Sequence, residues 1–118
     1  MRLGQGPSRV GLSRVQIIHS VAARRKRLNT DYIDLYQSHR ADWLTNIEET
    51  LRTLDDLVHA GKVRYIGCSN LPAWYLMKSL ATSREQRLER FNCTQSFYSL
   101  AGRDLDREMV PLLQDQGL

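Results

Sequence analysis

The chain has 118 residues, 42% of them apolar, which is enough to build one hydrophobic core. Charged residues at 25% and aromatics at 8% exclude a disordered polyelectrolyte and a low-complexity fibre, and no apolar run approaches the roughly 18 residues of a membrane span. The net charge of +4 is lopsided: residues 1–27 carry seven Lys or Arg and no acid, leaving ten cations against thirteen acids, net −3, in residues 28–118.

Gly4, Gly6, Pro7 and Gly11 predict a flexible lead-in over 1–12. Arg9 interrupts the opening before a secretory apolar core can develop. A first helix is expected over 13–28, opened by Ser13-x-x-Gln16 at capping-box spacing and carrying Val15, Ile18, Val21, Ala22 and Leu28 as its apolar stripe. Arg24, Arg25, Lys26 and Arg27 fall in its last turn, where cations match the helix dipole. That reading outweighs a nucleic-acid patch, because no aromatic residues interleave with the cluster.

Tyr32 to Gln37 is β-branched, aromatic and short, a strand. Thr45-x-x-Glu48 opens a second helix with Ile47, Leu51, Leu54, Leu57 and Val58 on one face, and Gly61 ends it. Val63 to Cys68 is a second strand, and Pro72 starts a third helix whose apolar residues are Trp74, Met77, Leu80 and Ala81. Phe91 to Gln95 is a third strand. Leu105, Met109, Val110, Leu112 and Leu113 then mark a fourth amphipathic segment. The α-β-α-β-α-β-α order, with strands near 32–37, 63–68 and 91–95, predicts right-handed crossovers and a parallel sheet.

In such sheets functional groups gather where strands end. The three strands deliver His39, then Ser69 and Asn70, then Gln95 at that edge. A helix cap is the alternative explanation of Ser69 or Asn70.

The run Arg27-Leu-Asn-Thr-Asp-Tyr-Ile-Asp-Leu-Tyr-Gln-Ser-His-Arg40, then Ile47-Glu-Glu-Thr-Leu51 and Gly61-Lys-Val-Arg-Tyr-Ile-Gly-Cys-Ser-Asn70, followed by Gln95 to Leu100 and Arg103-Asp104, closely resembles the aldo-keto reductase family. The resemblance covers roughly residues 12–118. It implies a (β/α)8 barrel of which this chain corresponds to the middle, a partial barrel domain over 13–118, since 118 residues fall short of the roughly 250 such a barrel takes. It also implies reduction of aldehydes or ketones, a small-molecule carbonyl substrate, with NADPH or NADH as cofactor and neither metal nor flavin. By resemblance His39 orients and polarises the substrate carbonyl, and Ser69, Asn70 and Gln95 hydrogen-bond the nicotinamide carboxamide.

The family's catalytic Tyr, Asp and Lys precede the part matched. None of Tyr32, Tyr36, Tyr65, Tyr75 and Tyr98 fits the tyrosine motif, so the isolated chain is expected to lack carbonyl reductase activity and to self-associate through open sheet edges. The alternative is a non-catalytic binding or scaffold protein derived from the same barrel. Asn29 stands where the family often has Gly, a departure that Asn's tolerance of positive φ makes benign.

Cys68 and Cys93 form no CxxC pair, fitting reduced core thiols and a cytoplasmic location, and with His39 they match no zinc-ligand spacing. His19 and His59 read as solvent-facing helix residues. Trp43 is open between lining a pocket above His39 and packing on the next helix.

Overall fold

The computed structural model describes residues 11–118, in which three strands form a parallel sheet in the order β1, β2, β3. Residues 1–10 of the expected lead-in lie outside the described residues. The elements are α1 (Arg14–Leu28), β1 (Ile33–Ser38), α2 (Ile47–His59), β2 (Val63–Ser69), α3 (Ala73–Gln86), β3 (Cys93–Gln95), a 3-10 turn (Asp104–Asp106) and α4 (Met109–Gln116). The alternation is the expected one, a barrel-like arrangement that remains open.

A helix between successive strands returns the chain to the same sheet edge, so the strands run parallel. Central β2 carries the register. Tyr36 pairs with Ile66, Gln37 with Gly67 and Ser38 with Cys68 on one side, and Gly67, Cys68 and Ser69 pair with Cys93, Thr94 and Gln95 on the other. The third strand is shorter than the expected 91–95. Asn92 accounts for this: its Oδ1 accepts the Ile66 N–H at 3.3 Å, so a side chain replaces a carbonyl at the start of the ladder.

The helices cover one sheet face. Tyr36, Ile66 and Cys68 point into a core with Ile17, Leu51, Leu54, Leu76 and Phe91, all buried. The other face is uncovered, and Leu35 and Tyr65, opposite each other in the register, are 43% and 59% exposed there. Parallel sheets are ordinarily covered on both faces.

Helix α2 presents the expected stripe, with Ile47, Leu51, Leu54 and Leu57 buried. Its cap is corrected. Asn46, not Thr45, is the N-cap and accepts from the Glu48 N–H at 3.0 Å, while Glu48 pairs with Arg52 one turn on. Ser13 likewise makes no side-chain cap. The first N–H of α1 is taken instead by the Glu49 carboxylate of α2 at 2.9 Å, which places a negative charge at the positive end of the helix.

The buried faces of α1 and α3 differ from the expected stripes. In α1, Gln16, Ile17, Ser20 and Val21 are buried while Val15, Ile18 and Leu28 are exposed. In α3, Tyr75, Leu76, Ser79, Leu80 and Ser83 are buried, and Trp74 and Met77 face outward. Satisfied hydroxyls explain the α3 case. Ser79 Oγ donates to the Tyr75 carbonyl at 2.7 Å and Ser83 Oγ to the Glu89 carbonyl at 3.1 Å, removing the penalty of burying them. Asn29 adopts φ 50° at the end of α1, the left-handed conformation its side chain tolerates. His19 and His59 are exposed, as expected.

Gly67 is required by packing across the uncovered face. A Cβ there would lie 2.8 Å from Cys93 Sγ and 3.1 Å from Gln37 Cγ, because Gln37 reaches over the glycine to Cys93, Nε2 to Sγ 3.8 Å. Gly67→Ala is expected to destabilise the chain by about 1–3 kcal/mol, the usual cost of overpacking. Adding Cys93→Ala is expected to recover part of it. Thermal denaturation of the two variants and the double variant measures the recovery, and strict additivity would remove the steric account.

Candidate active site

Strand parity assembles the site. Gln37, Gly67 and Cys93 occupy one row on the uncovered face, as the contacts over Gly67 show. Two residues further along β2 and β3, toward the C-terminal edge, Ser69 pairs with Gln95, and His39 follows at the end of β1; Ser69 is buried. Neighbouring strands stand about 4.8 Å apart, so the row is roughly 10 Å wide. His39 lies one residue past β1 and is exposed, and Gln95 is exposed at the end of β3. Neither side chain is hydrogen-bonded among the described residues.

Asn70 ties the row together. At φ 52° it turns the chain out of β2, its N–H donates to the Gln95 carbonyl at 3.1 Å, and its Nδ2 donates to Ser69 Oγ at 3.0 Å. Its Oδ1 accepts the Phe97 N–H at 3.1 Å. Neither Ser69 nor Asn70 caps α3, whose N-cap is Pro72, so the capping explanation of these residues fails.

A carboxamide presents one donor group and one acceptor. Ser69 retains a hydroxyl proton, Asn70 one amide N–H, and Gln95 a whole amide. Together these side chains offer both donors and an acceptor, the complement of a carboxamide. Among the described residues no group of three His, Cys, Asp or Glu is placed to hold a metal ion. Both cysteines are free; Cys68 faces the core, where burial pushes its thiol up to about 11, and Cys93 lies on the opposite face.

The loop from β1 to α2 is held by Asp42, which sequence reasoning passed over. Its carboxylate accepts from the Leu12 N–H at 2.7 Å, the Leu44 N–H at 3.1 Å and the Thr45 hydroxyl at 2.6 Å. Burial pushes the Asp42 pKa upward, but these hydrogen bonds together outweigh it and hold the group below its ordinary value. Gly11, at φ 94°, leaves the space the carboxylate fills. An Asp four residues past a strand, two residues before an N–H it accepts from, was the available signal.

Trp43 in the same loop packs on α3, stacking on Trp74 with ring centroids 5.9 Å apart. Beyond β3, Tyr98 donates its hydroxyl to Asp106 at 3.0 Å. That hydrogen bond, together with desolvation, raises its pKa.

The chain matches the aldo/keto reductase family over residues 2–118. It is 41% identical over 99 residues to norsolorinic acid reductase of Aspergillus flavus, covering 84% of this chain and 26% of that one. It is 40% identical over 111 residues to versiconal hemiacetal acetate reductase of Aspergillus parasiticus, covering 94% and 32%. An aryl-alcohol dehydrogenase of Pestalotiopsis microspora is 40% identical over 93 residues, covering 79% and 24%. The chain thus spans about a quarter to a third of the length of these curated relatives.

Because the folded-state pKa of Asp42 is lowered, its stabilisation is present above the ordinary carboxylate range and is lost as pH falls from about 4 downward. Asp42→Asn is expected to cost about 1–3 kcal/mol at neutral pH, as for hydrogen bonds to a charged group. Melting temperatures of the two proteins should converge on acidification. A constant difference down to the acid limit would mean that the charge of Asp42 contributes nothing.

Proposed function

The chain belongs to the aldo/keto reductase family, and from that premise we propose that it carries part of the site of an NAD(P)H-dependent oxidoreductase interconverting carbonyl compounds and alcohols. The observation that supports this best is the row formed by His39, Ser69 and Gln95, with Asn70 bonded to its neighbours at the same edge. The names of the relatives, reductases and an aryl-alcohol dehydrogenase, agree with that chemistry.

In this reading Gln95 offers both halves of its amide to the nicotinamide carboxamide, with Ser69 and Asn70 completing the set. Satisfying the donor and the acceptor together selects which ring face is presented. NADPH or NADH, when bound, supplies a hydride to the carbonyl carbon. Negative charge then develops on the carbonyl oxygen, and an N–H of His39 directed at that oxygen stabilises it as it forms. No tyrosine of this chain is assigned as the proton donor. Tyr98 is committed to Asp106, and Tyr75 is buried under Trp43 and Trp74.

The partner of the site is a small carbonyl compound. The uncovered sheet face and the unpaired edge of β1 favour self-association of the chain as it stands. Among the described residues no helix is long and apolar enough to cross a membrane. Two unpaired thiols on opposite sheet faces suit the cytoplasm.

Titration of the chain with NADPH and NADH, followed by nicotinamide fluorescence, tests the assignment. Gln95→Ala is expected to weaken cofactor binding about thirtyfold, the equivalent of two lost hydrogen bonds. His39→Ala is expected to leave cofactor binding unchanged, and the chain itself is expected to show no carbonyl turnover. Binding that is indifferent to Gln95 would overturn the reading. Sedimentation velocity across a concentration series tests self-association, a monomer throughout being the contrary result.

A further inference from the structure

Helix α3 leaves the strand-end edge after Asn70 and runs back to the opposite edge of the sheet, where Arg90 precedes β3. The end of α4 is there too, because Arg90 Nη2 donates to the Gln116 carbonyl at 2.8 Å. Between the two helix ends lies a cavity of about 190 Å³, lined by Leu80, Ser83, Arg84, Leu88, Arg90 and Gln116. Leu80 is buried and Leu88 packs against the core, so one wall is apolar and fixed. Two guanidinium groups line the cavity and no carboxylate does.

A cation that only serves a helix C-terminus commits its N–H groups to the last carbonyls. Arg90 does so with one of them, which holds its guanidinium in the wall and leaves the others. Arg84 does not. At its helix end the Leu88 N–H takes the Ser83 carbonyl at 2.9 Å and the Arg87 N–H takes the Arg84 carbonyl at 3.4 Å, so the backbone closes α3 by itself. Among the described residues the Arg84 side chain makes no hydrogen bond, and neither arginine is in an ion pair. Glu85, Glu89 and Asp115 belong to the same segments, but none of them lines the cavity, and Asp115 accepts from the Gln116 amide at 2.6 Å.

We propose that this cavity binds a small monocarboxylate with a compact apolar body, of the size of benzoate. An apolar cavity of about 150 Å³ holds benzene, so the present one has room for a six-membered ring with the carboxylate at its mouth. Each guanidinium fork matches the two oxygens of a carboxylate, and Leu80 and Leu88 cover the ring. Phosphate brings the charge without the body, and a neutral alcohol the body without the charge. The site lies at the sheet edge opposite His39, Ser69 and Gln95 and does not depend on the reductase reading.

Isothermal titration of the full chain with sodium benzoate is expected to give a saturable curve, with benzyl alcohol and inorganic phosphate each binding about tenfold more weakly or less. Arg84→Gln, at an exposed position, is expected to weaken benzoate about tenfold by removing charge-assisted hydrogen bonds. Arg84→Lys should recover part of that loss, and circular dichroism checks that both variants are folded. In methyl-resolved NMR spectra benzoate is expected to shift Leu80 and Leu88 and to leave the His39 ring signals in place. Unsaturable heats, phosphate binding as tightly as benzoate, unchanged affinity in Arg84→Gln, or shifts at His39 instead of the leucines would overturn the proposal.

Discussion

Parallel pairing of β2 with both neighbours is the constraint on which everything else depends. It aligns three strand ends at one edge, where Ser69 pairs with Gln95 and His39 follows one residue past β1. A slip of one residue between β1 and β2 would send His39 to the helix side. The register is held by what each face tolerates: Tyr36 and Cys68 are at home only in the core, and Gly67 alone lets Gln37 and Cys93 close over it.

The loops leaving that edge are no less determined than the strands. Asn70 turns out of β2 in a left-handed conformation and connects Ser69, Gln95 and Phe97 by hydrogen bonds. Asp42 fixes the neighbouring loop to Leu12, at the start of α1. Helix N-termini converge here as well, and Glu49 answers that of α1. Among the described residues the side chains of His39 and Gln95 are not committed to such bonds, and the proposed chemistry uses both.

Much of this was legible in the sequence. Order and type of the elements followed from short β-type runs alternating with amphipathic segments, and the residues at strand ends were identifiable once those runs were located. The buried faces of α1 and α3 were not. Hydropathy places Trp74 inside and Ser79 and Ser83 outside, but serine hydroxyls that bond to nearby carbonyls are buried at little cost, and a tryptophan stacked on another can remain in water. Caps misled for a related reason. Capping-box spacing at Ser13 and Thr45 is a local pattern, whereas the groups that serve these helix ends are Glu49, distant in sequence, and Asn46, a neighbour.

Strand spacing acts as a ruler for the candidate site. The backbone positions of His39, Ser69 and Gln95 differ by whole steps of the sheet, steps that no side-chain substitution alters. Reach across the edge is therefore adjustable only in increments of a methylene group, as by exchanging Gln for Asn, or by moving the loops that rise above it. Variation in what such a site accepts should consequently be concentrated in the loops, with the row beneath them held to a few residue types of matched length.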